Sequence, residues 1–165
     1  MLGDLDITHA DEAWPDCDVL IENCVKAALA HCQTDTQHGR PFELSVLLTD
    51  NDQVQDLNRE YREKDKPTNV LSFPALECDE PGHLILEPGP LHLGDIILAY
   101  GVVAQEASDQ EIAFEDHLSH LIVHGVLHLL GFDHIENEEA EEMEALEIAI
   151  LKDFGIANPY GSEAE

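Results

Sequence analysis

Residues 124–134 carry the clearest chemical signal in the chain, with the sequence HGVLHLLGFDH. His124 and His128 are spaced so that, on a helix, their imidazoles lie on one face a single turn apart. Gly131 can adopt the positive φ that ends a helix, and the turn would bring His134 towards the other two histidines. Three neutral imidazoles with a fourth position open to water are typical of a catalytic zinc site. We therefore predict one Zn²⁺ per chain on these three histidines; the alternative is three unrelated histidines in a chain that has 10.

The residue after the first histidine separates two patterns that share this spacing. Metzincin proteases carry H-E-x-x-H-x-x-G-x-x-H, in which the glutamate is the general base for water. Gly125 stands at that position and cannot accept a proton. The methionine turn of those proteases is also missing, because Met143 lies in an acidic helical stretch. A zinc peptidase therefore remains an alternative, but its general base is missing at position 125.

The same residues match H-G-x-L-H-L-x-G-[YF]-D-H, the signature of the YbeY family, and the chain resembles that family in further blocks. These are LNREYR at 57–62, KPTNVLSFP at 66–74 and LGDI at 93–96. The resemblance covers roughly residues 40–155 and is weakest at 75–92. It implies a single-strand-specific endoribonuclease that acts in rRNA maturation, including the 3′ end of small-subunit rRNA, and in ribosome quality control. The implied partners are single-stranded RNA, the small ribosomal subunit and its assembly factors.

The net charge of the whole chain opposes nucleic-acid binding, but the distribution of its basic residues does not. With 36 acidic and 7 basic residues, the net charge of −29 should repel a phosphate backbone. Four of the bases nevertheless fall within eight residues, at Arg59, Arg62, Lys64 and Lys66. They are either ordinary cations at a helix end or a phosphate-binding patch. A ribosome-assembly factor with a chiefly structural metal is the second alternative, which the negative charge favours.

Two residues outside the histidine motif are predicted to take part in catalysis. Arg59 is predicted to clamp the phosphate, because a guanidinium can hold two phosphoryl oxygens and stabilise developing charge. His120 lies one turn before His124 and is predicted to assist proton transfer; an orienting partner, a substrate contact or a satisfied pocket histidine are its alternatives. A surface role is predicted for His117. The histidine spacing alone indicates only a hydrolytic metal site, and RNA as substrate comes from the resemblance.

Composition favours one cytoplasmic domain spanning 1–165. The acidic first 16 residues contain no basic and apolar segments of a signal peptide, and no apolar run is long enough to span a membrane. The cysteines at 17, 24, 32 and 78 form no C-x-x-C pair, so we expect reduced packing residues.

Hydrophobic periodicity predicts an α+β fold in which a small mixed β-sheet packs with about five helices, the metal site lying at the end of a central helix. Asp50 or Asn51 is expected to cap the second helix, in which Val54, Leu57 and Tyr61 recur at helical spacing. Ser108 and Glu111 are expected to form a capping box that opens the metal helix. The last helix is expected to bury Met143, Leu146, Ile150 and Phe154. The predicted helices cover 16–33, about 51–61, 102–107, 108–130 and 137–154, and the strands 42–48, 69–73 and 94–100, with a loop and possible hairpin pairing at 75–92.

Overall fold

The computed structural model describes residues 2–32, 42–75, 78–80, 83–84, 91–132, 137–156 and 159. In this part of the chain the strands are β1 (Leu2–His9), β2 (Phe42–Thr49), β3 (Val70–Pro74), β4 (Cys78–Glu80), β5 (His83–Leu84) and β6 (Leu91–Ala99). The helices are α1 (Asp18–Cys32), α2 (Asn51–Arg62), α3 (Tyr100–Asp109), α4 (Phe114–Leu129) and α5 (Asn137–Lys152). The predicted α+β class, the five helices and the hairpin within 75–92 are confirmed, but the helix predicted at 108–130 begins only at Phe114.

The main sheet is mixed and has the strand order β1-β2-β6-β3. β1 and β6 both pair parallel to β2, whereas β3 pairs antiparallel to β6 and forms an edge of this four-stranded sheet. β2 alternates as the sequence predicts, with Phe42, Leu44 and Val46 buried and the residues between them half-buried. β4 and β5 form a separate two-stranded hairpin. The sheet therefore places β3 beside the central strand β6 and at one edge.

Helix α4 is the central helix, because it contacts α1, α3, α5, β3 and β6. Its apolar face is fully buried, with Leu118, Ile122 and Val126 completely shielded from solvent. Trp14 lies edge-on to the rings of Tyr100 and Phe114, at centroid distances of 5.4 and 5.9 Å, and joins the starts of α3 and α4. In the described part of the chain, no helix has the combination of length and apolarity that a membrane crossing needs.

The strand β1 was not predicted, although it pairs with β2 over its whole length. Its inner side chains Leu5 and Ile7 are only half-buried, and they alternate with the polar residues Asp6 and Thr8. One face of this strand packs on the core and the other faces solvent, so it contains few apolar residues. The acidic residues between its few apolar ones are the reason why the segment lacks a strong strand signal.

The predicted capping box at Ser108 is wrong. Ser108 lies in the last turn of α3, and its carbonyl accepts a hydrogen bond from Glu111 N at 3.1 Å. Glu111 has a φ of +58°, which turns the chain between the two helices, and α4 begins only at Phe114. Local spacing alone cannot tell a cap from a helix end, because serine and glutamate occur at both. The other cap is confirmed, since Asp50 Oδ1 accepts a bond from Gln53 N at 2.8 Å.

Three predicted helix contacts with the core also differ from the structure. Phe154 follows the end of α5 and is 40% exposed, so it does not belong to the buried stripe of that helix. Met143 and Ile150 are buried as predicted, whereas Leu146 is half-buried. In α2, Tyr61 is 62% exposed and contacts Phe73 edge to face at 5.5 Å between ring centroids. The stripe of α2 is therefore narrower than its periodicity suggests.

The backbone conformation and the close packing at Gly94 require glycine at this position of the LGDI block. We therefore expect Gly94→Ala to destabilise the fold strongly. Its φ is +145°, and a Cβ there would collide with the Phe73 carbonyl oxygen and lie 2.9 Å from Leu129 Cδ2. Backbone strain and overpacking together should cost about 3–5 kcal/mol of unfolding free energy. Urea denaturation measures this cost.

Gly155→Ala is the matched control for that measurement. Gly155 also has a positive φ of +74°, but nothing lies within 4 Å of the position of its Cβ. Alanine at this position should therefore cost only the backbone strain, about 1–2 kcal/mol of unfolding free energy. A Gly94→Ala protein that is no less stable than Gly155→Ala would show that the approach of β3 and α4 does not require glycine.

Candidate metal centre and adjoining cavity

The end of α4 orients His128 through a glycine turn. Gly131 has a φ of +98°, Gly131 N donates to His128 O at 3.0 Å, and Phe132 N donates to Leu127 O at 3.0 Å. This is the Schellman pattern of helix termination, and it confirms the predicted role of Gly131. The turn places the Phe132 carbonyl 3.0 Å from His128 Nδ1. A carbonyl only accepts, so Nδ1 carries the proton, and a neutral His128 ring has its lone pair on Nε2.

His124 is oriented in the same way by a carboxylate from α5. Its Nδ1 lies 2.7 Å from Oε2 of Glu147, whose side chain is completely buried. An ionised carboxylate has no proton to donate, so the His124 Nδ1–H is the donor. The neutral His124 ring then also has its lone pair on Nε2. The partners of His124 and His128 therefore select the same tautomer.

The two Nε2 atoms of His124 and His128 converge at a distance of 3.0 Å, with the rings nearly perpendicular at 83°. Two nitrogen ligands at zinc distances of 2.0–2.1 Å and tetrahedral angles are about 3.3–3.4 Å apart. Two lone pairs that face each other at such a distance are stabilised by a cation between them. These two residues therefore fit the predicted metal site in tautomer and direction, with their Nε2 atoms a few tenths of an ångström closer than two ligands of a tetrahedral zinc ion.

His134, the third predicted ligand, lies outside the described residues, as does its neighbour Asp133. Within the described residues a different group of three could also hold a metal ion, namely His120, His124 and Glu147. One ligand atom from each lies within 4.8 Å of the others. The two arrangements share His124, whose Nδ1 faces Glu147 and whose Nε2 faces His128. His128 belongs only to the first.

His120 is held beside this site by the same carboxylate as His124. Its Nε2 is 3.1 Å from Glu147 Oε1, and its side chain is 15% exposed. The ring centroids of His120 and His124 are 6.2 Å apart. Glu147 thus joins two histidines of α4. It was not among the predicted site residues, although its spacing of four from Met143 and three before Ile150 puts it on the buried face of α5.

The predicted surface role of His117 is wrong, because this side chain is 5% exposed. Its Nε2 lies 2.8 Å from Glu106 Oε1, and the same oxygen accepts a bond from Asn69 Nδ2 at 2.9 Å. α3 packs against this side of α4 and covers the histidine. The histidine-rich face of α4 is therefore buried at its start and reaches the metal centre only at its end.

Gly125 faces the sheet and not the metal centre. A Cβ at this position would lie 3.1–3.3 Å from three side-chain atoms of Ile96 in β6. Glycine thus allows α4 to approach the sheet closely, which is a packing reason for the absence of a larger residue. A glutamate at position 125 would be forced into the core.

A cavity of about 680 Å³ opens beside His124 and His128. β3 and the residues before it form one wall, and the end of α4 forms another. Among the residues that the structure describes, none of those lining the cavity is acidic, although the chain carries 36 acids. The lining consists of Arg62, residues 68–74, His124, His128, Gly131 and Phe132.

Arg59 and Arg62, the two arginines of the basic segment 59–66, lie in different surroundings. Arg59 is exposed and bonds to Asp56 Oδ1 at 2.9 Å and Asp65 Oδ1 at 3.2 Å. The bond to Asp65 and then that to Asp56 raise the pKa of Arg59, and the bonds from Gln55 and Arg59 lower that of Asp65. Arg62, one turn further along α2, lines the cavity with both histidines, whereas Arg59 does not. Both arginines also lie in the last turn of α2, at the negative end of the helix dipole. This agrees with the alternative that they are ordinary cations at a helix end.

The described cysteines are packing residues. Burial raises the pKa of the Cys17 thiol to about 11 and raises that of Cys24, so both remain protonated. Both thiols are buried and free of disulfides. The side chains of Cys32 and Cys78 lie outside the described residues.

Comparisons with known proteins agree on one family. The family model described as Endoribonuclease YbeY matches residues 7–155. A protein named Endoribonuclease YbeY from Rhodospirillum rubrum is 51% identical over 164 residues, which cover 94% of this chain and 80% of that protein. Proteins of the same name from Erythrobacter litoralis (54% over 138 residues, covering 83% and 81%) and Sinorhizobium fredii (45% over 166 residues, covering 97% and 93%) are also similar.

The fold has a counterpart among solved structures. The solution structure of protein TM1509 from Thermotoga maritima aligns with a TM-score of 0.56 and 24% identity, covering 96% of this chain and 97% of that one. The likeness shows that the two chains share their fold.

Proposed function

Because the chain belongs to the endoribonuclease YbeY family, we propose that it is a metal-dependent endoribonuclease that cuts single-stranded RNA in the cavity beside His124 and His128. The observation that carries this proposal is the convergence of the two Nε2 atoms at 3.0 Å on the wall of that cavity. His124, His128 and His134 are the proposed ligands. Imidazole ligands suit zinc, so Zn²⁺ is the proposed metal, one ion per chain.

We assign a separate role in phosphodiester cleavage to each residue of the site. A cation held by the histidines would supply Lewis acidity at a phosphoryl oxygen, at a water molecule or at both. We propose that Arg62 binds the phosphate, because it is the one arginine among the described residues that line the cavity. Arg59 stays the residue that the sequence predicts for this role. His120 stays a prediction for proton transfer, while its contact with Glu147 supports the alternative that it is an orienting partner.

Two features of the cavity support a single-stranded polyanion as substrate. The lining contains an arginine and, among the described residues, no carboxylate, so the local charge opposes that of the chain as a whole. Beside it, the exposed ring of Tyr61 contacts Phe73, which lines the cavity. Exposed aromatic rings next to a cationic groove are the combination on which unpaired bases stack. A duplex keeps its bases stacked inside and cannot use such rings.

We further propose that the substrate is rRNA, including the 3′ end of small-subunit rRNA, with the small ribosomal subunit and its assembly factors as partners in the cytoplasm. Family membership supports this assignment. The net charge of −29 makes free RNA a poor ligand over most of the surface. Recruitment by a ribosomal partner would reduce that penalty.

A substrate panel tests the proposed function. Metal-loaded protein is incubated with single-stranded RNA, duplex RNA of the same sequence and casein, each with and without chelator. We expect chelator-sensitive cleavage of the single strand, much slower cleavage of the duplex and intact casein. Absence of RNA cleavage with metal bound would favour the assembly factor with a structural metal, and chelator-sensitive cleavage of casein would favour the peptidase.

A further inference from the structure

Glu147 is a buried acid whose position calls for an explanation. Its side chain is completely buried, and it lies on α5 between the buried residues Met143 and Ile150. A buried carboxylate is costly unless its oxygens are hydrogen-bonded or paired with positive charge. Here Oε2 contacts His124 Nδ1 at 2.7 Å and Oε1 contacts His120 Nε2 at 3.1 Å. Both oxygens of the acid are thus directed at histidines of α4.

We propose that Glu147 is a positioning residue that fixes the His124 ring for metal binding and does not itself bind the metal. The inference rests on the proposed ligands His124, His128 and His134. By accepting the Nδ1–H of His124, the carboxylate holds Nε2 towards His128 and makes it a stronger ligand. His120 completes the arrangement by binding the second carboxylate oxygen, which keeps the acid from rotating.

The cavity decides between this role and a metal bound by Glu147 itself. His124 and His128 line the cavity, whereas neither Glu147 nor His120 is among its described lining residues. A cation held by His120, His124 Nδ1 and Glu147 would replace the contacts of the carboxylate with these two histidines. It would lie on the Glu147 side of His124, and Glu147 is not among the described residues that line the cavity. It would also leave His128 outside the site. A cation on the Nε2 side keeps these bonds and can be reached by substrate.

Glu106 provides a matched control, because it is a second carboxylate that binds a histidine of the same helix. Its Oε1 lies 2.8 Å from Nε2 of His117, which is not a proposed ligand. Glu147→Gln and Glu106→Gln therefore make the same chemical change at a histidine contact. Only the first change touches a histidine that we expect to bind metal.

Zinc affinity, measured by competition with a chromophoric chelator, tests the proposal without reference to RNA cleavage. Loss of an outer carboxylate partner typically weakens metal binding about 10–100-fold, so we expect this range for Glu147→Gln at an unchanged stoichiometry. Glu106→Gln should stay close to the parent. Thermal unfolding of the metal-free proteins checks that both variants fold. An unchanged affinity of Glu147→Gln would overturn the inference, while loss of metal in His128→Ala would still uphold the proposed ligands.

A second measurement on the unsubstituted protein keeps the test decisive if Glu147→Gln does not fold. Long-range ¹H–¹⁵N spectra of the zinc-loaded protein report which nitrogen of each imidazole carries the proton. We expect the Nδ1–H tautomer for His124, with the metal on Nε2. Metal on Nδ1 of His124 would overturn the inference, because the cation would then lie on the Glu147 side of the ring.

Discussion

His128→Ala is expected to lose the bound metal and all metal-dependent RNA cleavage while keeping its fold. The variant removes one of the two Nε2 atoms that converge at 3.0 Å. Because His128 would be a direct ligand, its loss should cost more affinity than the roughly 10–100-fold that an outer partner is worth. Metal content per chain and single-turnover cleavage of a short single-stranded RNA are the measurements.

His9→Ala is the control for that variant. His9 is a histidine of β1 that contacts Asp18 at 2.7 Å and is not among the residues lining the cavity. It should keep one metal ion per chain and the cleavage rate of the parent. Stoichiometric metal in His128→Ala would instead favour the group formed by His120, His124 and Glu147.

Arg62→Ala is expected to keep the metal and to lose cleavage by on the order of 100-fold, the usual effect of removing one preorganised donor to a developing charge. Arg62 lines the cavity with His124 and His128. Arg59→Ala should lose less, because Arg59 already bonds to Asp56 and Asp65 on the exposed side of α2. Circular dichroism, metal content and single-turnover rates of the two variants form the measurement.

The pair of arginine variants also tests the original sequence prediction. If Arg59→Ala loses more activity than Arg62→Ala, the phosphate binds outside the described cavity and Arg59 is the clamp. Lys64→Ala serves as a reference for a nearby charge. It should weaken RNA binding only modestly and flatten its salt dependence.

The local chemistry of the metal motif could be predicted because the relevant contacts lie within one turn of helix or at its end. The spacing of His124 and His128 determines that they share a face, and Gly131 takes the positive φ that the turn requires. The predicted position of His134 stays a prediction. The α+β class and the helices could also be predicted, because the hydrophobic periodicity of a strand or a helix is a local feature of the sequence.

The contacts that orient the site could not be predicted, because they join distant segments. Glu147 lies 23 residues after His124, and only the packing of α5 on α4 brings them together. His117 is covered by α3 through Glu106 for a similar reason. In α2, the motif identifies the segment with two arginines, but the rotation of the helix on the sheet determines which of them reaches the cavity.

Titration of the metal-free protein with Zn²⁺, followed by bound metal and single-turnover RNA cleavage on the same samples, tests the central claim most directly. We expect cleavage of the single strand to rise in proportion to bound zinc and to reach its maximum at one ion per chain. Full cleavage by the metal-free protein, or no cleavage at one bound ion per chain, would contradict a metal-dependent endoribonuclease centred on His124 and His128.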